Sequence, residues 1–359
     1  MNLLKVLPRF DVEAVLVSIQ NYLSGNTTLI DTARAEGVTA LELPCGGKWR
    51  FGSQRKLNEH VREFRAECIH THDYKSHLFG YLSARKQGIP IVATLHGWTR
   101  ETARLRAYEF IERLLLRRFD AVTVVSPDIA AQLVKRGLPQ NKIVTIANAV
   151  DTEQFRPADP TACRARFAYA ATDYVFGTIG RLSEEKGQDM LLQAFARVLR
   201  ERPEAKLLLV GDGPQEAALR ELAASLGVKD AVVFAGVQAG IEEILPGIDC
   251  YVSPSWTEGM PMIVLEAMAC ELPIIATEVG AVGDLLDDGA GFLVKRGDVD
   301  PLSQLMISAA SGNVDTRAVA RAARKRCVER YGLEAQARAY ADVYSAVLGS
   351  GEFGARVSV

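Results

Sequence analysis

No stretch of this chain reaches the roughly eighteen consecutive apolar residues that a membrane-crossing helix needs, and the N-terminus lacks the charged-then-apolar profile of a secretory signal. The chain therefore reads as soluble, or at most membrane-associated. Charge of one sign is also lacking: 42 Lys and Arg stand against 44 Asp and Glu, for a formal charge of −2. That excludes a general electrostatic footprint for nucleic acid. The six cysteines (Cys45, Cys68, Cys163, Cys250, Cys270 and Cys327) have no paired spacing, and most sit inside apolar runs. This excludes a disulfide framework and fits reduced thiols in a cytoplasmic protein. There is no internal repeat, no low-complexity tract and no glycine before Gly25.

What is present is length and alternation. At 359 residues the chain exceeds the size at which one core stops growing, so two domains are expected. Short apolar, β-rich runs recur between segments of helical period: "AVLVSI" (14–19), "ECIHTH" (67–72), "IPIVATL" (89–95), "DAVTVVS" (120–126) and "KIVTIAN" (142–148). Strands alternating with helices imply a parallel sheet covered on both faces. The polar segment "AVDTEQFRPADP" (149–160) reads as a linker. The alternation then restarts with "YVFGTIG" (174–180), "AKLLLVG" (205–211), "AVVFAG" (231–236), "DCYVSPS" (249–255) and "PIIAT" (273–277). The expected fold class is α/β, two doubly wound Rossmann-like domains with a cleft between them. The domains expected are residues 1–155, residues 156–331, and a last helix with tail, 332–359, crossing back to the first domain. The tail itself, "GSGEFGARVSV", is expected to fray.

Ligands in open parallel sheets sit beyond the carboxyl ends of the strands, so chemistry is sought there. After "YVFGTIG", Arg181 and Lys186 are placed to reach one anionic group, the guanidinium as a fork and the ammonium as a point charge; the plainer reading is a pair of surface cations beside Glu184 and Glu185. After "AKLLLV", the "GDGP" turn (211–214) reads as mostly structural. After "DCYVSPS" comes "TEGMPMIVLEAMAC" (257–270), almost unbroken apolar sequence from Met262 onward, yet Glu266 stands inside it and Glu258 precedes it. Pro261 marks a helix start, and the N–H groups of Gly259, Met260 and their neighbours become donors for phosphate oxygens. An acid buried there needs partners, and the two hydroxyls of a sugar or ribose would serve. The competing structural reading pairs Glu266 with a core arginine.

Taken in order, "GRLSEEKG", "GDGP", "SPSWTEGMPMIVLEAMACELPIIAT" and "GAVGDLLDDGAGFLV" resemble the retaining nucleotide-sugar glycosyltransferases of the GT-B fold, the large family four group. The first domain agrees more loosely, through "ECIHTHDYKSHLFGYLSARKQGIPIVATLHG" and "DAVTVVSPDIAAQL". The resemblance implies that Arg181 and Lys186 hold the donor diphosphate and that Gly259, Met260 and Pro261 supply backbone donors. It implies that Glu266 takes the ribose hydroxyls, Glu258 approaches the transferring sugar, His96 lies near the reacting sugar, and Val237 and Gln238 lie near the base. It implies no cofactor and no divalent metal, a glycan, lipid-linked or small-molecule acceptor, and transfer with retained anomeric configuration. "DVD" (298–300) precedes Pro301 at an ordinary helix start and is not read as a metal motif.

The match has departures. Family members open with a strand and a glycine-rich loop, whereas "DVEAVLVSIQNYLSGNTTLIDTARAEGVTALEL" resembles the family's second strand and the helix after it. The first strand, loop and helix, roughly thirty residues on ordinary element lengths, are thus expected to be missing, through a start assigned too far downstream or a truncation. Gly283-Asp284 stands where Pro-Glu is frequent. Two further signals compete with blander readings. His70, His72 and His77 in "HTHDYKSH" would suit a metal, but no acidic or cysteine partner completes the set. "TARLRAYEFIERLLLRRFDAV" (102–122) is a helix with a basic face that would touch an anionic membrane surface through residues 102–118, or simply a packing helix. The rival functions are a non-catalytic nucleotide-sugar binder and a sugar-nucleotide epimerase of similar shape; a phosphorylase would need a lysine context for pyridoxal that is not seen.

Overall fold

The structure, a computed structural model, describes residues 2–21, 28–45, 51–95, 112, 114–349 and 355–358. It divides into two compact units, Met1–Ala147 with Leu333–Val359, and Asn148–Gly332. The division falls before the expected linker because that segment belongs to the second unit. Val150 donates its N–H to the Tyr331 carbonyl at 2.9 Å, and Phe155 packs against the second unit's core.

In the first unit the strands are β1 (Val12–Asn21), β2 (Ala40–Cys45), β3 (Cys68–Thr71), β4 (Ile91–Leu95), β5 (Ala121–Val124) and β6 (Ile143–Thr145). β3, β4 and β5 are buried at every position, which is why they read as apolar runs rather than as alternating strands. The helix Tyr74–Gln87 starts at Asp73, whose carboxylate accepts from the N–H groups of Lys75 and Ser76 in a capping box, and stops at Gly88 in the left-handed conformation. The helix Leu333–Leu348 buries Ala337, Tyr340, Ala341 and Tyr344 in one cluster with Leu7, Cys68 and Val92.

Two of the three histidines considered for a metal, His70 and His77, are buried among hydrogen-bond partners of the fold. His70 is hydrogen-bonded to Tyr344 Oη and to Thr94 Oγ1, both at 2.7 Å, and His77 to Thr71 Oγ1 at 2.8 Å, with Glu112 at 3.3 Å. Among the described residues no group of three His, Cys, Asp or Glu is placed to hold a metal ion, and no helix is long and apolar enough to cross a membrane.

The second unit has β7 (Tyr174–Ile179), β8 (Ala205–Val210), β9 (Val232–Phe234), β10 (Cys250–Ser253), β11 (Ile274–Thr277) and β12 (Phe292–Val294) in the order β12-β11-β10-β7-β8-β9, all parallel. One face of this sheet is covered by a cluster that includes Val264, Leu265 and Met268, the other by one that includes Met190, Leu191 and Phe195. Chain order reverses between β7 and β10. That is the switch point at whose carboxyl ends a doubly wound sheet opens a crevice.

The chain's end corrects the expected fray. Residues Ala355–Ser358 form β13, which lies between β1 and β3 in the first sheet, order β2-β1-β13-β3-β4-β5-β6, parallel to both neighbours. Its register sets Val12 opposite Ala355 and Cys68 opposite Val357. Left empty, that position would expose two facing rows of backbone N–H and C=O groups, which a parallel segment satisfies. Hydrogen–deuterium exchange is expected to find the amides of residues 355–358 as slow as those of β1; exchange at the rate of unstructured chain would remove β13 from the sheet.

Candidate functional site

Close backbone contacts lock together the loops that follow β7, β8 and β10. A Cβ on Gly211 would lie 2.0 Å from the Gly180 carbonyl oxygen and one on Gly213 would lie 2.3 Å from that of Leu182, both at positive φ, so only glycine fits. The Leu182 N–H donates to the Asp212 carbonyl at 2.7 Å. The "GDGP" turn is therefore a clasp between loops. Gly187 plays the same part toward β10: at φ +64, its Cβ would lie 2.2 Å from the Pro254 carbonyl oxygen, while Trp256 N–H donates to the Glu185 carbonyl at 2.8 Å.

That clasp brings Lys186 to Glu258. The ammonium donates to Glu258 Oε1 at 2.8 Å, and the Ser255 hydroxyl donates to the same oxygen at 2.7 Å. Arg181 sits at the end of β7 with an exposed guanidinium that has no hydrogen-bond or ion-pair partner among the described residues, while its carbonyl accepts from the Gln188 side chain at 2.9 Å. One cation is thus paired with an acid of the same loop cluster and the other is unpaired.

The helix after β10 is Met262–Ala269, with Pro261 as its N-cap in extended conformation and no side-chain cap. Here one sequence assignment needs correction. Pro261 carries no N–H and donates nothing. The N–H groups of Gly259, Met260, Met262 and Ile263 have no partner among the described residues, so they form the donor set. With the helix dipole behind them, they make a cradle for an anion.

Glu266 lies one turn further on. Val264, Leu265, Ala267, Met268 and Ala269 around it are fully buried, whereas Glu266 is only half-buried. No cation pairs with it among the described residues, which removes the core-arginine reading. Burial, and then the charge of Glu242, push its carboxyl up to about 7. Glu242, in the short helix Ile241–Ile244, accepts from Gln154 Nε2 at 3.0 Å. Sequence reasoning missed Glu242, although its place after the β9 strand end was a usable signal.

The two base-side candidates differ from each other. Val237 is 70% exposed, and Gln238 is tied on both sides, its oxygen accepting from Arg166 and its nitrogen donating to the Ala235 carbonyl. Both stay beside the β8 end because Gly211 N–H donates to the Gly236 carbonyl at 2.8 Å. His96 and most of the basic segment 102–118 lie outside the described residues.

Residues 162–326 match the family Glycosyl transferases group 1, and residues 1–154 match Glycosyltransferase Family 4. N-acetyl-alpha-D-glucosaminyl L-malate synthase of Bacillus anthracis is 28% identical over 300 residues, 82% of this chain and 78% of that protein. D-inositol 3-phosphate glycosyltransferase of Rhodococcus jostii is 30% identical over 246 residues, 63% of this chain and 54% of that one. Among solved structures, Anabaena HepE in complex with UDP superposes with a TM-score of 0.80 at 20% identity, covering 93% of this chain and 99% of the other. Sucrose-phosphate synthase of Thermosynechococcus elongatus gives 0.73 at 20% identity, over 94% and 99%. Family matches in both units, relatives over most of the chain and shared architecture agree that this chain belongs to the GT-B glycosyltransferases of the family 4 type.

Proposed function

We propose that the second unit binds the nucleoside diphosphate of a sugar nucleotide and that the protein transfers the sugar, with retained configuration, to a hydroxyl of its acceptor. The observation that carries this reading is the cluster of unpartnered N–H donors at the start of helix Met262–Ala269, at the sheet's switch point, in the same loop cluster as Arg181 and Lys186. A purely structural helix does not require that convergence; a sugar-nucleotide epimerase would share it, and differs in needing no acceptor for turnover. Support for the donor class comes from HepE, which is known in complex with UDP and with UDP-glucose.

In this reading the leaving diphosphate gathers negative charge as its bond to the sugar breaks, and Arg181, Lys186 and the four N–H groups of Gly259, Met260, Met262 and Ile263 stabilise that charge without reorganising. These donors supply what a divalent ion would otherwise supply, so transfer proceeds without added metal. Ionised Glu266 accepts from two ribose hydroxyls, Val237 and Gln238 border the base, and Glu258, fixed by Lys186 and Ser255, faces the sugar. His96 is assigned to the sugar as well, on the resemblance alone. Two relatives are named for L-malate and for inositol 3-phosphate, and a third, of Rhizobium meliloti, for the lipopolysaccharide core. The acceptor class therefore stays a hydroxyl of a small acid, a polyol phosphate or a glycan, and a lipid-linked glycan would bring the protein to the inner face of a membrane.

The test is a donor screen with uridine, guanosine and adenosine diphosphate sugars, reading released diphosphate with malate, inositol phosphate and glycan acceptors, with and without EDTA. Turnover with one donor, unaffected by EDTA, is expected. Calorimetric binding of a donor with no turnover would support the non-catalytic binder instead.

A further inference from the structure

Asn148 is the first residue of the second unit and stands 112 positions before Met260 in the chain. The fold brings the two together twice. Asn148 Nδ2 donates to the Met260 carbonyl at 3.0 Å, and the Asn148 backbone N–H points at the Met260 thioether sulfur, also at 3.0 Å. From the other side, Ala281 N–H donates to the Gly259 carbonyl at 2.9 Å, and Gly280, at φ +53, passes so close that a Cβ there would lie 2.0 Å from the Glu258 carbonyl oxygen.

The consequence follows from peptide geometry. In a trans peptide the C=O and the next N–H point opposite ways, and none of the described peptides is cis. Fixing the Gly259 carbonyl on the Ala281 side turns the Met260 N–H away from it. Fixing the Met260 carbonyl sets the plane that leads into Pro261 and so the direction in which Met262 and Ile263 present their N–H groups. A donor cradle stabilises developing charge only if its groups are held in place beforehand, and a segment containing Gly259 is otherwise free to rotate.

We propose that Asn148 is a positioning residue for the transfer reaction: its side-chain amide holds the Met260 carbonyl and thereby presets the unpartnered N–H groups of Met262 and Ile263, which join those of Gly259 and Met260, held from the Gly280-Ala281 side, to receive the donor diphosphate. This inference rests on the donor-binding reading given above. It assigns Asn148 no contact with substrate.

The test uses the full-length chain and two variants, Asn148→Ala and Asn148→Asp. UDP affinity is read by calorimetry, donor and acceptor KM and kcat by turnover, and folding by Tm. Asn148→Ala is expected to weaken UDP binding about 5- to 20-fold and to raise donor KM and lower kcat, with acceptor KM and Tm nearly unchanged. Asn148→Asp keeps the shape but has no N–H to offer and sets a carboxylate against the Met260 carbonyl, so it should lose more than the alanine variant. A role in packing alone predicts the reverse order, with the isosteric aspartate tolerated. Wild-type UDP affinity in Asn148→Asp, or a fall in Tm without a selective loss of UDP affinity, overturns the proposal. A wild-type chain that binds none of UDP, ADP and GDP overturns the donor reading itself, and this inference with it.

Discussion

Replacing Glu266 with alanine is expected to weaken binding of the nucleoside diphosphate by about 30- to 150-fold, from the loss of two hydrogen bonds between hydroxyls and a charged acceptor, roughly 2–3 kcal/mol in all. The fold should survive, because the side chain is half-buried and makes no ion pair that its removal would break. The same carboxylate should make the unliganded protein pH-sensitive. Its pKa is raised from 4.5 to about 7 by burial and by Glu242. A raised pKa means that the stabilising protonated form is fully present below about pH 4.5 and that its contribution is lost as pH rises through about 7. Glu266→Gln, which mimics the protonated acid, should therefore leave stability nearly unchanged at about pH 4 and raise it by about 1–2 kcal/mol at pH 8, after discounting for partial exposure. Thermal unfolding at the two pH values checks the sign. Equal Tm shifts at both would remove the perturbed carboxylate from the explanation.

Lys186→Ala should have the other large effect, and it separates stability from catalysis. Removing the ammonium leaves the Glu258 carboxylate, whose side chain is only 10% exposed, with the Ser255 hydroxyl as its remaining partner. The expected destabilisation is about 1–2 kcal/mol, less than for a fully buried pair because the Lys186 side chain is 27% exposed. Activity should fall about 100- to 1,000-fold, the loss typical of one electrostatic donor at a developing charge. In the double variant with Glu258→Gln, stability should return while activity does not, since neither the ammonium for the diphosphate nor the carboxylate assigned to the sugar is present. Recovery of activity together with stability would remove both Lys186 and Glu258 from the transfer reaction and leave them only a structural pairing. Chemical denaturation and steady-state rates on the four proteins decide between these outcomes.

Much of this architecture was legible in the chain. Strands buried on both faces, such as β3, β4, β5 and β10, announce themselves because most of their positions are apolar, and polar ones such as His70, Thr94 and Thr123 are hydrogen-bonded to one another inside the core. β12 is three residues long and partly exposed, too short to stand out, and β13 consists of a tail whose strand character comes from the gap it fills rather than from its composition. Arg181, Lys186, Glu258 and Glu266 could be picked out as candidates because they stand just past strand ends, where sheet topology gathers the loops.

What stayed hidden depends on contacts between distant positions. His70 finds Tyr344 across 274 residues, Gln238 finds Arg166 across 72, and Asn148 finds Met260 across 112, and no local pattern encodes any of them. Pro261 failed for a different reason. Its place beside the helix start was read as a donor position, when proline lacks the one atom that a donor needs.

The most direct measurement is calorimetric titration of UDP into the wild-type chain and Glu266→Gln between pH 6 and pH 8. Ionisation of the nucleotide itself is common to both titrations and cancels in their difference. If ribose hydroxyls donate to an ionised Glu266, wild-type affinity must climb through about pH 7 relative to the glutamine variant, following the carboxyl's titration. Parallel curves, with the two proteins binding UDP equally across the range, would mean that no nucleotide hydroxyl reaches this acid.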